Sequence, residues 1–98
     1  MTKKDNIFYC IVALEYGKRN YIKDREWILG ENNNYSEIYE LFVKLQCLSP
    51  EDLFSKFPKD VFQVQIQLEK CIETDNAIEC IQVENEFWEK NPNYKGGI

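Results

Sequence analysis

Histidine is absent from the 98 residues, and with it the side chain that ordinarily gains and loses a proton near pH 7. Ordinary acid–base catalysis is therefore not expected, and no catalytic residue is assigned. Glycine is scarce: Gly17, Gly30, Gly96 and Gly97 form no phosphate-cradling loop. Long apolar runs are missing too, since the longest is Ile7 to Leu14, whereas a bilayer-spanning helix needs about 20 residues. No membrane association is expected. Lys3 and Lys4 precede that run, but Asp5 interrupts them, Glu15 ends it, and no small-residue cleavage site follows, so the start reads as mature, cytoplasmic protein. Cys10, Cys47, Cys71 and Cys80 include no close pair of the kind that announces a zinc site. They read as buried free thiols, with no metal and no cofactor.

What the chain does have is acid and apolar bulk. Seventeen acidic residues against twelve basic ones give a net charge of −5, which disfavours direct nucleic-acid binding because such affinity is built from cations on phosphates. The charge is uneven. Residues 1–25 hold six basic and three acidic groups, whereas residues 69–89 hold seven acidic groups and only Lys70. A hydrophobic content of 44% is enough for one core, so residues 1–98 are expected to form a single domain.

Caps and periodicity point to an all-α fold, a compact bundle of five or six short helices. Asp5 can cap a segment with Ile7, Cys10, Ile11 and Leu14 at helical spacing, ended by Gly17; Asn20 can open a second, ended by Gly30. The alternative is α+β with an N-terminal β-hairpin, because these segments are rich in strand-favouring residues and Gly17-Lys18-Arg19-Asn20 could be the loop. Asn34 and Glu37 resemble a capping box before Ile38, Leu41, Phe42, Leu45 and Leu48, which keep a helical rhythm without a miss. Ser49-Pro50-Glu51-Asp52 opens a short helix carrying Leu53, Phe54 and Phe57, with its acids at the positive end of the macrodipole. From Pro58, Val61, Val64, Leu68, Cys71 and Ile72 make a helical stripe, although Phe62, Val64, Ile66 and Leu68 also alternate with Gln63, Gln65 and Gln67 as in a strand. Asp75 caps a last helix with Ala77, Cys80, Ile81, Phe87 and Trp88 on one side, ended at Asn91-Pro92 and followed by the tail 94–98.

On that last helix Glu79, Glu86 and Glu89 fall within about 80° of arc, with Glu73 and Asp75 just before them and Trp88 beside them. This negative ridge is the expected partner-binding site, suited to a basic protein. The plain reading of the same pattern is a solvated helix face. Cys80, Glu51-Asp52 and Glu84-Glu86 are the nearest approaches to catalytic groups, and none forms a motif. Trp27, Tyr35 and Tyr39 are candidate interface anchors or core aromatics. Lys18, Arg19, Lys23 and Arg25 form a basic counterpart that could meet the ridge across a two-fold axis in a homodimer.

In size, acidity and the constellation of Glu79, Glu86, Glu89 and Trp88, the chain resembles the immunity proteins of bacterial toxin systems. That resemblance implies an inhibitor that neutralises a cationic, nuclease-type toxin by occupying its groove. A phage-type inhibitor of a host nucleic-acid enzyme would use the same surface. A regulatory adaptor would instead hold an amphipathic helix against Phe54, Phe57 or Phe62.

Overall fold

The computed structural model describes residues 6–19, 21–83 and 86–94. Asp5, Asn20, Glu84 and residues 95–98, to which caps, an acidic pair and a tail were ascribed, lie outside the described residues. The elements run in the order β1 (Asn6–Tyr16), β2 (Ile22–Asn32), α1 (Tyr35–Gln46), α2 (Pro50–Phe54), β3 (Gln63–Glu73), β4 (Ile78–Gln82) and β5 (Phe87–Lys90). Two short helices and an antiparallel sheet replace the expected all-α bundle, and the α+β alternative with its N-terminal hairpin is the arrangement found.

The sheet order is β2-β1-β3-β4, with β5 also paired to β3. β4 takes the Glu69–Glu73 half of β3 and β5 takes the Gln63–Ile66 half. The two short strands thus lie end to end along one edge of β3. β1 and β3, each eleven residues long, are the central pair.

Their central position explains why helical spacing misled. Ile11 and Ala13 are buried beneath the helices and Val12 among Cys10, Cys71, Phe8 and Leu14 on the other face, so successive positions are apolar and the run satisfies a helical template as readily as a strand template. In β3 the alternation of Val64, Ile66 and Leu68 with glutamines was the true signal, and the phase match of Cys71 and Ile72 to a helix was coincidental. Gly17 and Gly30 stop no helix. Gly17 lies in the β1–β2 connection, where its N–H donates to the Tyr21 carbonyl at 2.9 Å, and Gly30 lies within β2 beneath α1. Asp75 opens no helix either: it belongs to the β3–β4 turn, closed by the Thr74 N–H donating to the Ala77 carbonyl at 2.9 Å.

Both middle helices form where their caps place them. The Asn34 side chain accepts from the Glu37 N–H at 3.2 Å, while the Glu37 carboxylate receives the Asn32 amide at 2.6 Å, so the box closes through a neighbour rather than through Asn34 itself. Ser49 accepts from the Asp52 N–H at 3.2 Å at the start of α2. Through Ile38, Phe42, Leu45, Leu53 and Phe54 these helices cover one face of the sheet, meeting Ile11, Ala13, Val64, Ile66 and Leu68. Trp27 and Phe87 close the sides, edge-on to Phe57 at 5.0 Å and to Phe42 at 5.5 Å.

One charge is buried on this covered face. Glu15 is fully buried in β1 and accepts both forks of Arg25 across the hairpin, at 2.8 and 2.9 Å, with Lys23 at 3.7 Å. Arg25 also reaches Asp60 at 3.1 Å. Its guanidinium pKa is raised by the hydrogen bond to Glu15 first and that to Asp60 second. Lys23 and Arg25 are therefore engaged within the fold rather than set out as a basic patch. Among the described residues, no helix is long and apolar enough to cross a membrane.

Candidate functional site

Side chains alternate across a sheet, so the half of β1 and β3 that does not meet the helices forms a second face. The pairing registers place Phe8, Cys10, Val12, Leu14 and Tyr16 of β1 there. Beside them stand Gln63, Gln65, Gln67, Glu69, Cys71 and Glu73 of β3. β2 adds Glu26 opposite Leu14, Ile28 opposite Val12 and Glu31 opposite Cys10. β4 and β5 add Ile78, Cys80, Gln82 and Trp88. No helix covers this face among the described residues, and Ile22, Ile28, Ile78 and Trp88 are 62%, 65%, 56% and 41% exposed.

At one end of this open face the polar groups form a chain. The Tyr16 hydroxyl donates to Gln65 Oε1 at 3.0 Å, Gln65 Nε2 donates to Glu86 Oε2, and Trp88 Nε1 donates to Glu86 Oε1 at 3.4 Å. Tyr16 and Trp88 pack edge to face, 4.5 Å between centroids. The chain fixes the indole and the carboxylate side by side on the surface. Nearby, Gln63 Oε1 is buried without a hydrogen-bond partner among the described residues.

At the other end the thiols meet. Cys71 and Cys80, directly opposed in register, are joined as a disulfide. Cys10 remains a free thiol, buried, with its sulfur 3.8 Å from that of Cys71. Burial, and then the negative charges of Glu31 and Glu69, push its pKa up. The cysteines form the floor of a hollow of about 640 Å³ whose walls include Phe8, Ile28 and Glu31. Glu69 Oε2 accepts from Gln67 Nε2, and a Glu69 oxygen lies within 4.8 Å of the Cys71 and Cys80 sulfurs. Of the four expected buried free thiols, only Cys10 fits: Cys47 is free but exposed at the end of α1. Cys80 stands at no helix start and is bonded to Cys71.

The expected acidic ridge does not exist as one helix face, because its residues are divided among three strands, a turn and two sides of the sheet. Glu73, Glu86 and Trp88 belong to the open face. Glu79 and Glu89 stand opposite Ile72 and Val64, on the helix-bearing side. Asp75 lies in the exposed β3–β4 turn. Gln65, the hydrogen-bond partner of Glu86, and Glu73 are about 26 Å apart along β3. Tyr35 and Tyr39 are exposed and stacked on α1, whereas Trp27 packs against the core. Phe54 and Phe57 are core residues, and Phe62 is half-buried edge-on to Tyr94.

Two features escaped the sequence reading. Glu26, Glu31 and Glu69 join the acidic surface only through the strand registers, and Cys10, Cys71 and Cys80 converge only because β1, β3 and β4 are neighbours. A strand reading of 63–73 with a turn at 74–77 would have set Cys71 opposite Cys80. No known protein family, no curated protein and no solved structure matches the chain.

Proposed function

We propose that the chain is a non-catalytic inhibitor that binds a basic protein through the open face of its sheet, as an immunity protein binds a cationic nuclease-type toxin in the cytoplasm. One observation carries the reading. Glu26, Glu31, Glu69, Glu73 and Glu86 share that face, with Lys90 as the basic exception among the described residues, interleaved with exposed Ile22, Ile28, Ile78 and Trp88. Carboxylates around exposed apolar and indole surface are what a basic partner needs: the charges steer encounter and the apolar groups hold the complex. A nuclease groove is positive because it binds phosphates, so such a face can compete for it.

Reversing charges on the two sides of the sheet tests the reading. The triple variant Glu26→Lys, Glu31→Lys, Glu73→Lys is expected to lose capture of the basic partner and the salt sensitivity of that capture. The double variant Glu79→Lys, Glu89→Lys, on the helix-bearing side, is expected to keep both. Equal loss in the two variants, or retention in the triple variant, would remove the open face as the binding surface.

A further inference from the structure

Three cysteine sulfurs come together on the open face, the free thiol of Cys10 beside the Cys71–Cys80 disulfide. Cys10 on β1, Cys71 on β3 and Cys80 on β4 occupy three adjacent strands. Glu69 is directly opposite Cys10 and two residues before Cys71, so all four side chains leave the sheet on the same side. Sulfur ligands about 2.3 Å from zinc in a tetrahedron are about 3.8 Å from one another. Cys10 and Cys71 Sγ are 3.8 Å apart, and the donor atoms of Glu69, Cys71 and Cys80 lie within 4.8 Å of one another.

We propose that, with Cys71 and Cys80 reduced, the thiolates of Cys10, Cys71 and Cys80 and the carboxylate of Glu69 bind one zinc ion. Reduction of the disulfide by a dithiol takes up two electrons and two protons and yields the two thiols; the dithiol leaves as its own disulfide. Binding then releases the three thiol protons to solvent. Three thiolates select a soft cation over calcium or magnesium. Gln67, donating to Glu69 Oε2, holds that carboxylate by one oxygen, the usual support of a ligating group. Glu31, beside Cys10 on the hollow's wall, adds negative charge that favours a cation. The hollow gives the ion a path from solvent. The site would clasp the central strands to β4 and is independent of whether the open face binds a protein.

Cobalt titration of the reduced, full-length chain reads the site directly, with folding checked by circular dichroism. One equivalent of Co²⁺ is expected to bring a thiolate charge-transfer absorption and visible bands of tetrahedral intensity, both bleached by one equivalent of Zn²⁺. Cys80→Ser, at an exposed position, is expected to weaken binding by more than the roughly 10–100-fold that losing a supporting group costs, and to reduce the charge-transfer intensity. Cys47→Ser should leave the spectrum unchanged. Absence of the charge-transfer band in folded protein with four reactive thiols, an unaltered titration in Cys80→Ser, or a Cys71–Cys80 bond that persists in excess reductant would each overturn the proposal.

Discussion

Glu15 and Cys10, five positions apart on one strand, show how two buried groups with the same negative tendency are treated differently. Glu15 faces the helices, where a lone charge would be very costly, and it is held by the two-pronged contact from Arg25. Cys10 faces the open side, where burial and the charges of Glu31 and Glu69 favour its neutral thiol. Arg25→Ala leaves Glu15 with only Lys23 at 3.7 Å. The loss is expected to be about 2 kcal/mol, below the roughly 3–5 kcal/mol of a fully buried pair because Arg25 is partly in water. Urea denaturation measures it; a change within about 0.5 kcal/mol would show that water or Lys23 already serves Glu15.

At the scale of elements, the hairpin and the helices meet through a missing side chain. A Cβ on Gly30 would come within 2.6 Å of the Leu41 side chain and 3.4 Å of that of Ile38. Glycine here makes room for the Leu41 side chain of α1 over β2, and Gly30→Ala is expected to cost about 1 kcal/mol as the Leu41 methyl is turned aside. Thermal unfolding gives the value, and an unchanged midpoint would mean that Leu41 repacks without strain. The same contact shows what could and could not be read beforehand. α1 and α2 were legible because Asn34, Ser49 and Pro50 are local signals that act over three or four residues. The strands were obscured because Ile11 and Ala13 pack beneath the helices while Val12 packs beside Cys71 on the other face, contacts made with elements distant in sequence, and Gly30, which mimics a helix stop, answers to Leu41 across the fold. In the last third, Asp75 and Asn91 serve turns as well as they serve helix ends, so the acidic residues were assigned one shared face that the two short strands divide.

At the scale of the whole molecule, the covered face holds the core and the open face holds most of what could recognise something else. Glu86 and Trp88, expected at the site from sequence, remain on that face, joined there by Glu26, Glu31 and Glu69, which only the strand registers reveal. The central claim is that this face receives a basic protein partner. Isoleucine methyl resonances report on it without mutation, because Ile22, Ile28 and Ile78 belong to the open face while Ile38, Ile66 and Ile72 belong to the other side. On titration with the captured basic partner, shifts confined to Ile22, Ile28 and Ile78, together with the Trp88 indole, are the predicted result. Shifts centred on Ile38 and Ile72, with the open-face methyls unmoved, would contradict it.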